Sequence, residues 1–287
     1  MNPAQLILDR LVRSVEDQGF IAHGLHVLVG PYAAEHRWTP DVREDIQSAA
    51  KGVCVIAAGM ASDEGLFDLD APVATYLSDF AFGDGAAEVT ARQLLRMSSG
   101  IDLPWSETMF TDWPDLAREF LRRPSRGRVF QYSNASTYTA MRALDAVVGD
   151  VHTWLEPRLF APLGIEGTEW QRCPNGWILA GGGLALRTEE FARLGQFIRD
   201  GGVWSGSRLV SREWIDAMHS DWVERDAGPG YERYALAGWA GPGDAWRLHG
   251  AHGQMLIFLG DTVVTITAHD HFGADRMAAR IVETLAD

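Results

Sequence analysis

One serine and one lysine three residues apart, Ser48 and Lys51, open an otherwise apolar run, Gln47-Ser48-Ala49-Ala50-Lys51-Gly52-Val53-Cys54-Val55-Ile56-Ala57-Ala58-Gly59-Met60-Ala61. A run that is apolar on every side belongs inside a protein if it is helical, and in a helix positions three apart share a face. Lys51 is also the only lysine among 25 basic residues, the rest being arginines. Arginine cannot give up its proton near neutral pH, whereas a buried lysine can work as a base. A serine beside such a lysine reads as a nucleophile with its base, and a helix N-terminus adds backbone N–H groups able to face a developing oxyanion. The spacing alone recurs by chance in long chains; the apolar setting and the single lysine give it weight.

A serine–lysine pair further needs a proton shuttle to the leaving group and donors for the oxyanion. Tyr132 and Asn134, two apart in Phe130-Gln131-Tyr132-Ser133-Asn134, are the candidates on a loop that could project both into one cleft. The third candidate is Leu248-His249-Gly250-Ala251-His252-Gly253-Gln254, two histidines and two glycines where a strand is expected. Glycine inside a strand marks the close approach of a ligand or another backbone. His249, His252, His269 and His271 could instead gather a metal, but no cysteine or carboxylate spacing supports a ligand set, so no metal and no cofactor is expected.

The elements that must position these residues follow from periodicity. Leu8, Leu11, Val12 and Val15 predict a helix over 3–17, closed near Gly19. Strands are expected at 25–29 and 33–38, joined at Gly30-Pro31. The serine helix should end near Gly65, with a short helix at 74–77 and another capped by Thr90 and stopped at Gly100. Residues 101–130 read as loop and helix, and 137–148 and 151–159 as helices. Glycines 181–183 open a turn into a helix at 189–198, and Ser211 could cap one running to Met218. Strands at 246–249, 255–259 and 263–268 and a last helix at 274–285 complete a sheet assembled from both ends of the chain around a helical middle.

With 287 residues and 46% hydrophobic content, such a chain can bury about 75% of its unfolded surface. Acidic residues outnumber basic ones 39 to 25, for a net charge of -14, and no basic patch is present, which excludes nucleic acid as the expected partner. Cys54 and Cys173 are expected as packed thiols. Residues 1–20 carry acidic and basic residues throughout, and no segment approaches the ~20 apolar residues that span a bilayer, so no membrane association and a cytoplasmic location are expected. Trp105, Trp113, Trp222 and Trp239 fall in loop stretches, and read first as core and next as aromatic walls suited to an apolar acyl group or ring.

The ordered motifs resemble the serine β-lactamase and penicillin-binding-protein-like hydrolases, in the branch of class C β-lactamases, esterases and 6-aminohexanoate-dimer hydrolase. Ser48-Ala49-Ala50-Lys51 matches S-x-x-K, Tyr132-Ser133-Asn134 matches Y-x-N, and His249 to Gln254 lies where that family has its K-T-G or H-x-G strand. The resemblance runs over most of the chain from about residue 25. It implies an α/β (α+β) fold of the β-lactamase/DD-peptidase type: an antiparallel sheet from both termini, flanked by helices, with an inserted helical subdomain. Residues 1–287 would form a single catalytic domain, its sheet part at about 1–47 and 176–287 and its helical part at about 66–175. It further implies Ser48 as the acylated nucleophile, Lys51 as its base and Tyr132 as the proton carrier. Asn134 would hold Lys51 or the substrate amide. The oxyanion would lie between the N–H groups of Ser48 and Ala251, the two adjacent His-Gly pairs leaving a second register open, with His249, Gly250 and His252 about the substrate. Leu248-His249-Gly250 stands where β-lactamases and wall peptidases place a cation or hydroxyl for the substrate carboxylate, which weakens β-lactam or D-peptide substrates. The expected activity is acyl-enzyme hydrolysis of a small-molecule ester or amide. Acyl transfer to an amine or alcohol is the alternative, followed by a non-catalytic binder on the same fold.

Overall fold

The computed structural model describes residues 2–108, 113–225, 228 and 230–286. After α1 (Pro3–Gln18) come the hairpin β1 (Ala22–Val29) and β2 (Tyr32–Arg37), the short β3 (Glu44–Asp45), a 3-10 turn at Gln47–Ala49 and α2 (Ala50–Asp63). Helices α3 (Ala91–Leu95), α4 (Trp105–Thr108), α5 (Leu116–Leu121), α6 (Asn134–Val148) and α7 (Val151–Leu155) fill the middle. The chain returns through β4 (Glu169–Trp170), β5 (Leu184–Leu186), α8 (Thr188–Arg199), the hairpin β6 (Val203–Trp204) and β7 (Ser207–Arg208), and α9 (Arg212–Ala217). Strands β8 (Val223–Glu224), β9 (Arg233–Tyr234), β10 (Trp239–Ala240), β11 (Trp246–Gly250), β12 (Gln254–Leu259) and β13 (Thr262–Ala268) lead to α10 (Ala274–Ala286).

The main sheet has the order β2-β1-β13-β12-β11-β10-β9-β8, with antiparallel neighbours throughout. Strand β1 pairs with β13, so the two ends of the chain meet as the sequence predicts. Strand alternation sends successive side chains to opposite faces. Leu25, Val27, Met255, Ile257, Val264 and Ile266 pack under α1 and α10. Leu28, Leu256, Phe258 and Val263 join the larger core on the other face with α2. That helix is buried from Ala50 through Ala61 on all sides, as an apolar run without a charged stripe requires. Each large apolar side chain withdrawn from water here contributes about 1.5–3 kcal/mol.

Several boundaries differ from expectation for local reasons. Strand β1 starts at Ala22, because pairing with β13 is carried past an irregularity between Ala22 and Gly24. The expected helix at 74–77 is a 3-10 turn at Val73–Thr75. The helix expected over 151–159 is α only to Leu155 and widens to a π turn at Glu156–Phe160, where Pro157 has no N–H to offer the α ladder. Helix α6 begins three residues earlier than expected, at Asn134, and Ser133 at its N-cap sends its hydroxyl to Leu103 O (2.6 Å) instead of capping. The stretch 101–130 is loop and short helix in its described part, and 109–112 lie outside the described residues. Trp239 lies in β10, not in a loop.

Candidate active site

Ser48 stands in the 3-10 turn that leads into α2, two residues before the α-helix proper. The turn is entered through Gln47, whose φ of 53° lies in the left-handed region that side chains other than glycine seldom adopt. Lys51, one turn on, is 1% exposed. Its Nζ lies 2.9 Å from Ser48 Oγ, 2.9 Å from Asn134 Oδ1 and 2.7 Å from Gly181 O. Three elements distant in sequence thus converge on one amine: the turn before α2, the first residue of α6, and the glycine-rich turn before β5. Gly181 is required at that turn, since a Cβ there would come within 2.8 Å of Asn134 Cβ and Oδ1.

Tyr132 precedes α6 and places its ring 5.0 Å from Lys51 Nζ. Its loop is fixed by Gln131 N donating to Met97 O (2.8 Å) and Trp105 N donating to Tyr132 O (3.3 Å). The ring rests on Trp239 and Tyr234, at 5.4 and 5.7 Å between centroids. Trp239 is therefore support beneath Tyr132, not a wall of the cleft.

A cavity of about 770 Å³ opens in front of Ser48. Asp45, Gln47, Asn134, Gly181 to Gly183 and Ala251 line it near the serine, and Trp105, Trp113, Leu116 and Leu179 form an apolar wall. Trp222 is not among the lining residues. Cys173 lines the cavity and Cys54 lies behind Lys51; both are free, buried thiols, and burial pushes the Cys54 thiol up to about 12. Arg172, also in the lining, is engaged by both Asp150 oxygens at 2.5 and 3.1 Å and by Gly176 O at 2.6 Å.

The third motif divides by strand alternation. Gly250 faces the turn before Ser48, where a Cβ would meet Ile46 O and, at 2.9 Å, Gln47 Cβ. Leu248 faces the same way and packs on Gly52 of α2. Ala251 follows at the cavity edge. His249 points to the opposite face of the sheet, 9% exposed, with Nδ1 3.2 Å from Arg247 Nε and 3.3 Å from Tyr231 Oη. Burial, with the Arg247 charge behind it, pushes its pKa down to about 4. His252 takes a left-handed φ of 63° and stacks on His269 at 4.9 Å. Neither imidazole lines the cavity. Among the described residues no group of three histidine, cysteine or acidic side chains is arranged to hold a metal.

Sequence reasoning missed Asp45 and the acceptor role of Gly181. Asp45 Oδ1 accepts the N–H groups of Gln47 (2.7 Å) and Gly183 (2.8 Å), and Oδ2 accepts from Gln47 Nε2 (2.8 Å). Burial raises its pKa, against the pull of those N–H groups, Lys51 and His252. An acid three residues before the serine and a run of three glycines were the only signals available.

A family model described as Beta-lactamase matches residues 20–280. The 6-aminohexanoate-dimer hydrolase of Paenarthrobacter ureafaciens is 29% identical over 234 residues, which cover 73% of this chain. The chain spans 58% of the length of that curated relative. Among solved structures, the D-amino acid amidase from Ochrobactrum anthropi SV3 matches with a TM-score of 0.76 at 16% identity, over 98% of each chain. A family VIII carboxylesterase matches with a TM-score of 0.75 at 16% identity, over 98% of this chain and 96% of the other. At such identities the likeness is one of fold.

Proposed function

This chain belongs to the beta-lactamase family, and from that premise we propose that it is a serine acyl-enzyme hydrolase acting on an ester or amide of a small molecule. The observation that carries this reading is the 2.9 Å approach of Lys51 Nζ to Ser48 Oγ, with the other two partners of the amine being Asn134 Oδ1 and Gly181 O. An unprotonated lysine in that cradle gives its two N–H bonds to those oxygens and turns its lone pair to the serine hydroxyl. Ser48 Oγ then attacks the substrate carbonyl as its proton passes to Lys51. The N–H groups of Ser48 and Ala251 receive the oxyanion, Tyr132 conveys a proton to the departing alcohol or amine, and water discharges the acyl group.

The apolar wall of Trp105, Trp113, Leu116 and Leu179 supports an apolar or aromatic group on the substrate. Leu248, packed on α2, and Arg172, held by Asp150, leave the cavity without a free cation for a substrate carboxylate among the described residues, which argues against penicillins and carboxylate-ended peptides. The family VIII carboxylesterase and the 6-aminohexanoate-dimer hydrolase agree with ester and amide chemistry respectively. Transfer of the acyl group to an amine is the second reading, favoured by a cavity with room for an acceptor and by a chain whose one lysine is buried.

Intact-protein mass spectrometry of wild type and Ser48→Ala after exposure to a p-nitrophenyl ester tests the proposal. A mass gain confined to wild type and discharged by water is the expected result. Faster discharge with a primary amine present would move acyl transfer first. An equal adduct on Ser48→Ala, or none on either protein, would remove Ser48 as the nucleophile.

A further inference from the structure

We infer that Asp45 is a positioning residue that holds Ser48 and Lys51 in register by tying the left-handed Gln47 to the glycine turn at 181–183. The inference rests on the reading of Ser48 as nucleophile and Lys51 as base. The two halves of that pair are anchored on different pieces of chain. Ser48 follows Gln47 directly, and Gln47 has a φ of 53°, a conformation that resists an L side chain. Lys51 is held from outside its helix by Gly181 O at 2.7 Å, in the turn that continues through Gly183. One carboxylate joins them. Oδ1 of Asp45 receives the N–H of Gln47 at 2.7 Å and the N–H of Gly183 at 2.8 Å, while Oδ2 receives the Gln47 side-chain amide at 2.8 Å.

Two hydrogen bonds to Asp45 offset the cost of the Gln47 conformation. Its N–H and its side chain are both drawn back onto Asp45, which closes a tight turn over Ile46 and aims the next residue, Ser48, at the cavity. Ile46, between them, is fully buried and donates its own N–H to Leu184 O at 2.9 Å, so the brace is continuous with the pairing of β3 and β5. Loss of the carboxylate leaves Gln47 free to relax toward negative φ, which swings Ser48 Oγ relative to a lysine fixed by Asn134 and Gly181. Asp45 also lines the cavity, so a rival role exists: its charge could bind a cationic substrate or act on Lys51 directly.

Three variants separate these roles, each assayed on a neutral and an ammonium-bearing p-nitrophenyl ester, with thermal melts to establish folding. Asparagine keeps an oxygen that can accept both N–H groups, so Asp45→Asn is expected to stay within about threefold of wild type. Asp45→Ala is expected to lower kcat by about tenfold or more, with KM changed less than about twofold, on both esters. Glycine adopts positive φ without strain, so Asp45→Ala combined with Gln47→Gly should recover most of that kcat relative to Gln47→Gly alone. An Asp45→Asn loss as large as that of Asp45→Ala would overturn the brace in favour of charge. A loss confined to the cationic ester and to KM would overturn it in favour of substrate binding. An Asp45→Ala protein with wild-type kcat, or no recovery in the double variant, would refute it outright. Should wild type form no adduct dependent on Ser48, the functional reading itself fails, a result distinct from all of these.

Discussion

Lys51 and Arg247 are both 1% exposed, and the hydrogen-bond partners of both are neutral. Lys51 meets Ser48 Oγ, Asn134 Oδ1 and Gly181 O. Arg247 meets Gly241 O at 2.5 Å, Gly230 O at 2.9 Å and His249 Nδ1 at 3.2 Å, with its guanidinium 4.9 Å from the centroid of the Tyr231 ring. The environments are similar, yet the consequences are opposite. A lysine can surrender a proton and here touches a hydroxyl that opens onto a cavity. An arginine keeps its charge and its planar fork, and this one ties the loop before β11 to the back of the sheet. A buried cation is thus a chemical group or a strut according to whether it can deprotonate and what it reaches.

Exchanging the two chemistries is the most direct way to break the comparison. Lys51→Arg should reduce hydrolysis of a p-nitrophenyl ester by ~10³-fold or more and abolish the Ser48 adduct, because the fork cannot accept the serine proton. Acylation at near wild-type rate would end the role of Lys51 as base. Gly250→Ala should act next most strongly: its Cβ collides with Ile46 O and Gln47 Cβ, and prising β11 from the serine turn should cost about 10–100-fold in kcat. A wild-type rate in that variant would show that β11 need not lie so close.

Arg247→Lys should leave kcat within about threefold while lowering unfolding stability by about 2 kcal/mol, read from urea melts, since a single ammonium cannot reproduce the fork. A collapse of kcat with stability intact would make Arg247 part of the chemistry after all. The smallest effect concerns His249, whose pKa falls from 6.5 to about 4 on folding. Between those values the unfolded chain binds the proton that the folded one refuses, so stability must fall as pH drops through that window. The loss attributable to this group should be about 1–2 kcal/mol from pH 6.5 to 5, and His249→Asn should flatten the slope. An unchanged slope would mean that His249 takes its proton without disturbing the strut.

Legibility in the sequence followed how local each signal was. The serine–lysine spacing, the apolar run of α2 and the meeting of strands from both ends could be read directly, because helical period and strand period are properties of neighbouring residues. Ser48 lies two residues before α2, since the left-handed Gln47 makes a 3-10 entry that composition does not announce. His249 and His252 looked like site residues because both sit beside glycines; strand alternation turned one to the far face, and a left-handed φ turned the other onto His269.

By itself the sequence determined the nucleophile candidate and its base, the apolar helix that must be buried, and Leu248-His249-Gly250 where a lysine would otherwise stand. Only the tertiary structure decided what surrounds them. Gly181 lies 130 residues from Lys51 and Asn134 lies 83 away, and no periodic pattern encodes contacts at such separations. They exist because the packing that buries α2 from Ala50 through Ala61 brings an amide oxygen and a backbone carbonyl to the same amine. Asp45 was invisible for the same reason: its partner Gly183 is 138 residues away, and a carboxylate becomes a brace only when folding brings that N–H within reach.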